Sequence, residues 1–338
     1  MTATLTPELL SERLSLFLRA ETGLPVEVCG AAPLAGGASR DMWQVKLRID
    51  GVEERYVLRR DLPSAMTERA LTRCQEFRVM QLAQAGGVRV ARPRWCCPDP
   101  DLLGGAFFLM EFVDGIAIGR KIVQMPELAA ARAALPDQMA QQLARIHRLE
   151  PPDFLPRPAD GLSPAQDVIA QIYDLLDTLE IRSPAFEFAL RWAERNAPPA
   201  ATLTFIHGDF RLGNLIVNET GIAAVADWEF AHLGDPLEEL GYPCMRDWRF
   251  GVGHLRLGGI ADREPFLRAY ERYSGRTVDR QAVDFWEFLG NLRWGAICLA
   301  QANRHLSGRD LSVELASLGR RSAEMQMEML RLIAALGV

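Results

Sequence analysis

Apolar residues recur along this chain with two periods, and the switches between them mark its elements. Near the start, Leu10, Leu14, Phe17 and Leu18 repeat at helical spacing, interrupted by Glu12, Arg13 and Arg19. Thr6-Pro7-Glu8 supplies a cap and a first turn, so the pattern predicts an amphipathic surface helix rather than a signal peptide. Further on, Trp43, Val45, Leu47 and Ile49 alternate with Gln44, Lys46 and Arg48, the period of a half-buried strand. Asp50-Gly51 is a two-residue hairpin signal, and Tyr56-Val57-Leu58-Arg59 is the returning strand. The helical period returns over about 68–85, with Leu71, Phe77, Met80 and Leu82 as core positions and Gly86-Gly87 as the stop. Val88 to Cys97 and Ala106 to Phe112 read as two more strands.

Asp114-Gly115 breaks this pattern and is the candidate hinge between two lobes. The first lobe spans residues 1–113, with the hinge near 110–115, and the second spans 114–338. The second reads as mainly helical, with Pro151, Pro152, Pro156 and Pro158 marking an extended loop. One hairpin interrupts it. Leu203, Phe205 and Ile206 lead to His207, then Leu215, Ile216 and Val217 form a strand. A turn over Asn218 to Gly221 follows, and a second apolar run, Ile222 to Ala226, ends at Asp227. The class is therefore α+β, with an antiparallel-sheet N-terminal lobe. No internal repeat is visible.

Composition narrows the function. A chain of 338 residues with 49% hydrophobic and 24% charged positions suits a globular enzyme with a sizeable core. The net charge of -6 argues against a broad nucleic-acid or anionic-membrane surface, and no apolar run is long enough to span a bilayer. The six cysteines contain no C-x-x-C pair, and adjacent Cys96-Cys97 suits neither a zinc site nor an easy disulfide. A reducing, cytoplasmic setting is the simplest reading. Lys46 and Lys121 are the only lysines.

The chemistry concentrates in His207-Gly208-Asp209-Phe210-Arg211-Leu212-Gly213-Asn214, followed by Asp227-Trp228-Glu229. Singly, these acids would be ordinary turn residues. In this order, H-x-D-x-x-x-x-N and a second aspartate after a strand form the spacing of a phosphoryl-transfer loop. A carboxylate must orient and accept the proton of an attacking hydroxyl, which assigns Asp209. An amide oxygen and a second carboxylate must hold Mg2+ against the phosphates of ATP, which assigns Asn214 and Asp227.

These segments resemble the aminoglycoside phosphotransferase and choline kinase group of small-molecule kinases. The likeness is greatest to the branch related to kinase domains fused to acyl-CoA dehydrogenases. Gly234-Asp235-Pro236, Met110-Glu111-Phe112-Val113-Asp114-Gly115 and Ala144-Arg145-Ile146-His147 add to the likeness, which runs from about Leu34 to Leu306. The resemblance implies a bilobal protein-kinase-like fold and an ATP- and Mg2+-dependent phosphotransferase acting on a small-molecule hydroxyl. It places Gly36, Gly37 and Ser39 over the phosphates, Val57 against the adenine, and the backbone of Met110, Glu111 and Phe112 at the adenine edge. His207 braces the catalytic loop, Asp235 fixes local structure, and His147 is structural.

One departure stands out. The usual third-strand lysine falls on Arg59, with Glu76 as its helix partner, and a register shift of one residue would bring Arg60 there instead. Lys46 reads as a solvated surface residue. Most of Tyr242, Trp248, Phe250, Trp286 and Trp294 read as core packing, and one or two of them, with Arg246, Arg249 or Arg293, are expected to shape the acceptor site. Glu238, Glu239 and Asp247 mixed with Arg246, Arg249, Arg256 and Arg293 suit an anionic or amphiphilic acceptor, such as a hydroxyacyl compound, better than a polycation. Two rival readings are an inactive nucleotide-binding module that partners an acyl-CoA dehydrogenase, and an aminoglycoside resistance kinase. His232, His254 and His305 lack metal-ligand spacing.

Overall fold

The computed structural model describes residues 5–34, 41–61, 70–199 and 202–337. The chain divides into two compact units, one drawn from Met1–Asp114 with Ala223–Ala231, the other from Gly115–Ile222 with His232–Val338. The sequence pattern assigned residues 223–231 to the helical lobe. In the structure they group with the first unit, to which Val225 is tied by donating its N–H to the Arg89 carbonyl at 2.7 Å.

The first unit holds α1 (Pro7–Thr22), β1 (Val26–Pro33), β2 (Asp41–Ile49), β3 (Val52–Arg60), α2 (Arg73–Ala85), β4 (Pro93–Cys97), α3 (Pro100–Leu103) and β5 (Phe107–Glu111). Its sheet is antiparallel in the order β1-β2-β3-β5-β4. β2 and β3 pair Ile49 with Val52 around Asp50 (φ +48°) and Gly51 (φ +83°), the left-handed pair that a tight two-residue hairpin needs. Alternation along β3 decides what each face carries. Tyr56 and Leu58 join Trp43, Val45, Leu47, Phe107 and Leu109 in a core covered by Leu10, Leu14 and Leu18 of α1. Val57 and Arg59 face the other way, toward the side on which α2 packs Phe77 against Phe108 at a ring separation of 6.0 Å.

Local signals set these elements as expected, with three differences. Thr6 caps α1 and Gly23 (φ +69°) ends it. The second helix starts at Arg73, not near 68, because Thr72 and Gln75 form a reciprocal capping box there. Val88–Arg92 is not strand, since the ladder with β5 begins at Pro93. β1 was missed because only Val26 and Val28 show alternation before a run of small residues.

The second unit holds α4 (Gly119–Gln124), α5 (Ala129–Ile146), α6 (Pro164–Thr178), α7 (Pro184–Asn196), β6 (Thr204–Ile206), β7 (Leu215–Asn218), β9 (His232–Gly234), α8 (Pro236–Gly241), α9 (Arg263–Ser274), α10 (Arg280–Leu306) and α11 (Val313–Leu336). The hairpin strand after β7, β8 (Gly221–Val225), carries the chain from the second unit into the first. Ile169, Ile172, Phe186, Leu190, Phe288, Leu289, Met329 and Ile333 form the core among α6, α7, α10 and α11. β6 pairs with β9, an antiparallel contact that the helical reading of this region did not foresee. Among the described residues, no helix is long and apolar enough to cross a membrane.

At Gly241, the end of α8 touches the backbone of α10. A Cβ there would lie 2.7 Å from the Glu287 nitrogen and 2.9 Å from the Trp286 carbonyl carbon. Gly241→Ala should therefore lower stability by about 1–3 kcal/mol in chemical denaturation. Gly30→Ala, whose Cβ would meet nothing within 4 Å, should stay within about 0.5 kcal/mol of wild type.

Candidate active site

The first unit places a guanidinium where the kinase pattern expects a lysine. Arg59 is buried on β3, and its Nη2 donates to Asp227 Oδ1 and Glu229 Oε2, both at 3.0 Å. Its Nε lies 3.2 Å from Glu76 Oε2, at ion-pair distance but without hydrogen-bond alignment. Arg73 completes the cluster by pairing with Glu76, with Glu229 at 3.2 Å and with Asp61 at 2.7 Å. Two guanidiniums thus face four carboxylates. Burial pushes the Glu76 carboxyl up, against the pull of Arg59 and Arg73. The same cluster of carboxylates raises Arg73 against its own burial.

Asp227 sits at φ +72°, a backbone region that aspartate tolerates better than most residues. The segment is anchored around it. Leu71 donates its N–H to the Glu229 carbonyl at 2.8 Å, and the Trp228 indole donates to the Val225 carbonyl at 3.1 Å. Arg60 does not enter this cluster. It pairs with Asp41 and the Leu103 carbonyl, so the observed register selects Arg59. Lys46 is exposed.

Val57 is buried opposite Met110 in the β3–β5 ladder. The hinge backbone differs from expectation in part. The N–H groups of Glu111 and Phe112 donate to the Arg92 and Arg55 carbonyls, both at 2.9 Å, so these two amides are engaged within the unit. Gly36, Gly37 and Ser39 lie outside the described residues.

The second unit builds the loop over residues 207–214 around a buried carboxylate, Glu239. β6 delivers His207 into the interior, and Gly208 turns the chain at φ +83°. Glu239 receives both following amides, His207 N–H on Oε2 at 3.0 Å and Gly208 N–H on Oε1 at 2.9 Å. His147 holds Glu239 in turn, with Nε2 at 3.0 Å from Oε2 and Nδ1 at 2.7 Å from the Tyr270 hydroxyl. Burial pushes the Tyr270 hydroxyl up to about 12, so it stays protonated beside the histidine ring. Burial also opposes ionisation of Glu239, but the His147 hydrogen bond, the two histidine rings and the His207 N–H bring its carboxyl below the usual range.

Asp209 is held at both oxygens. Arg211 Nε donates to Oδ1 at 3.0 Å, and Asn214 Nδ2 donates to Oδ2 at 2.5 Å and to the Asp209 carbonyl at 2.9 Å. His207 Nδ1 accepts the Asp209 N–H at 3.2 Å, a brace on the loop itself. With the Asn214 amide nitrogen so engaged, its Oδ1 accepts no hydrogen bond among the described residues. An oxygen of that type is what Mg2+ takes.

Beside Asp209, the Arg211 guanidinium lies 4.5 Å over the Trp248 ring, which packs against Trp294 at 5.1 Å and Tyr242 at 5.8 Å. The Trp248 indole nitrogen is buried without a hydrogen-bond partner among the described residues. Burial, then the charge of Asp209, raises the Tyr242 hydroxyl well above its ordinary value. Several other expected acceptor residues are structural. Trp286 is buried and donates to Asp235, which caps α8. Arg249 pairs with Glu287 at 2.7 Å in the interior, and Arg256 pairs with Asp284 and Glu287. Glu239 holds the loop, and Glu238 is buried beside Arg293 at 3.5 Å. Phe250 packs against Gly119, where a Cβ would lie 2.2 Å from its ring.

Sequence reasoning left Glu229, Arg73, Arg211 and Tyr270 without a role. Glu229 and Arg211 stood inside the quoted motifs, whereas Arg73 and Tyr270 carry no local signal.

Replacing Arg59 with methionine removes one of the two guanidiniums that the carboxylate cluster faces. The loss should be about 3–5 kcal/mol at neutral pH. Glu76 has a raised carboxyl, so it binds its proton more tightly folded than unfolded and favours folding as pH falls through that raised value. The deficit of Arg59→Met, measured by urea unfolding, should therefore shrink on acidification. A deficit that grows on acidification would show that Glu76 does not carry the unpaired charge.

Comparison with known proteins gives this arrangement its context. Residues 30–286 match the phosphotransferase enzyme family. Acyl-CoA dehydrogenase family member 10 of Mus musculus is 27% identical over 305 residues, covering 86% of this chain but 28% of its own length. The chain thus spans less than a third of that relative. A Ralstonia eutropha protein described as a candidate aminoglycoside phosphotransferase superposes with a TM-score of 0.74 at 27% identity, covering 95% of this chain and 97% of its own. Spectinomycin phosphotransferase in complex with ADP and spectinomycin shares the fold, with a TM-score of 0.60 at 12% identity, covering 95% and 98%. The fold is the protein-kinase-like one that the motifs imply, and the chain belongs to the phosphotransferase enzyme family.

Proposed function

We infer that this protein transfers a phosphoryl group from ATP to a hydroxyl of a small molecule, with Mg2+. The observation that carries the reading is the held state of Asp209. Both its oxygens are fixed by Arg211 and Asn214, on a loop whose amides are clamped by Glu239. A carboxylate so oriented can align an acceptor hydroxyl and take its proton as the phosphoryl group transfers. Arg59 supplies a fixed positive charge for phosphate, since its fork already meets carboxylates and can meet phosphate oxygens in the same way.

Asn214 Oδ1 and the Asp227 carboxylate would hold Mg2+. Mg2+ takes hard oxygen ligands in number and keeps phosphate and water among them, so one amide oxygen and one carboxylate from the protein suffice. When bound, Mg2+ neutralises charge on the phosphates. The adenine would lie against Val57 and the Met110–Phe112 segment, using carbonyls rather than the two engaged amides.

For the acceptor, Arg211, Trp248, Tyr242 and Trp294 favour a hydroxylated compound with an anionic or polar group beside an apolar body, such as a hydroxyacyl thioester. The likeness to an acyl-CoA dehydrogenase family member supports the same class. A second reading, a nucleotide-binding module without turnover that partners such a dehydrogenase, is favoured by the engagement of Arg59 with Asp227 and Glu229.

An ATP-turnover assay with hydroxyacyl thioesters and aminoglycosides separates these readings. Turnover is expected with the hydroxyacyl compounds, falling about 10²–10⁴-fold or more in Asp209→Ala and Asp227→Ala. Turnover with aminoglycosides alone would replace the acceptor class, and none with any hydroxyl compound would favour the inactive module.

A further inference from the structure

Two thiols from separate parts of the sequence meet under α2. Cys74 lies in the first turn of that helix and Cys96 near the end of β4, and their Sγ atoms are 2.8 Å apart. Both are half-buried and unbonded. The alternation of β4 explains why Cys96 and not its neighbour is involved. Cys97 is buried with Phe107 in the core under α1, and its thiol points to the Asp99 carbonyl at 3.9 Å. Cys96 pairs in register with Phe108, on whose ring Phe77 of α2 packs, so Cys96 looks toward the helix. The sulfurs are closer than two non-bonded sulfur atoms ordinarily rest, and a small side-chain rotation would bring them to bonding distance. No third metal-ligating side chain joins them among the described residues, so the pair does not form a zinc site.

We propose that Cys74 and Cys96 are a redox-modification site that closes to a reversible disulfide with a peroxide as oxidant. The Cys74 thiolate attacks a peroxide oxygen. An S–O bond forms, the O–O bond breaks, and the departing hydroxide takes a proton to become water. The Cys96 sulfur then attacks Cys74, the S–S bond forms, the S–O bond breaks, and the second hydroxide leaves with the Cys96 proton as water. The thiols lose two electrons and the peroxide gains them. The bond would tie β4 to the helix that carries Glu76, the partner of Arg59.

The test treats the reduced full chain with hydrogen peroxide, blocks free thiols with iodoacetamide and maps tryptic peptides without reductant. The expected product joins the Cys74–Arg78 peptide to the Trp95–Arg120 peptide with loss of two hydrogens. Fragmentation should place the link on Cys96 and the alkyl group on Cys97, and dithiothreitol should release it. The link should persist in Cys97→Ser and vanish in Cys96→Ser. Alkylation of both Cys74 and Cys96 after exhaustive peroxide, their separate oxidation without a link, or a link through Cys97 would each overturn the proposal.

Discussion

The buried charge cluster around Arg59 is the constraint on which the first unit depends. A guanidinium removed from water needs anions at hydrogen-bond distance, and Asp227, Glu229 and Glu76 supply them from two separate stretches of chain. This requirement fixes α2 on the sheet face that carries Arg59, because Glu76 and Arg73 both project from that helix. It also fixes the Asp227-Trp228-Glu229 segment against the first unit, with the Leu71 amide on the Glu229 carbonyl. A lysine could not span the same set. Its single ammonium offers a point charge, whereas the planar fork of arginine addresses carboxylates in different directions. Glu229 and Arg73 extend the Arg59–Glu76 pair into a network.

The second unit solves a related problem with the opposite charge. Glu239 is a buried carboxylate whose partners are backbone amides and a histidine, so its charge is distributed over the turn that presents Asp209. The Asp209 carboxylate is held by Arg211 and Asn214 of its own loop, with the Tyr242 hydroxyl beside it. Glu239 and His147 thus hold the turn, while Arg211 and Asn214 hold the Asp209 carboxylate. A change at His147 would act through Glu239 on the turn, without touching Asp209 directly.

Much of this was legible in the sequence because the signals were local. The Asp50-Gly51 turn, the alternation across β2 and β3, the Thr6 cap and the order His207, Asp209, Asn214, Asp227 are each readable within a few residues. One local signal was overlooked, the Thr72–Gln75 capping box that starts α2 inside a longer helical pattern. The other misses were non-local. The Glu239–His147–Tyr270 chain joins residues spread from 147 to 270, and no spacing rule connects them. Arginines near the expected acceptor region looked available by composition, yet Arg249 and Arg256 turn out to be neutralised by Glu287 and Asp284. Charge counts along a sequence do not reveal which charges cancel in the fold.

The central claim is that Asp227 is a working metal–nucleotide residue and not only a partner of Arg59. A thermal-shift titration with ATP, with and without Mg2+, on wild type and Asp227→Ala addresses it most directly. A ligand that binds only the folded state stabilises it by about 2.7 kcal/mol at a hundredfold excess over Kd, enough to read as a rise in Tm. The account predicts a rise in wild type that requires Mg2+ and disappears in Asp227→Ala. A rise that ignores Mg2+, or that survives in Asp227→Ala, would contradict it.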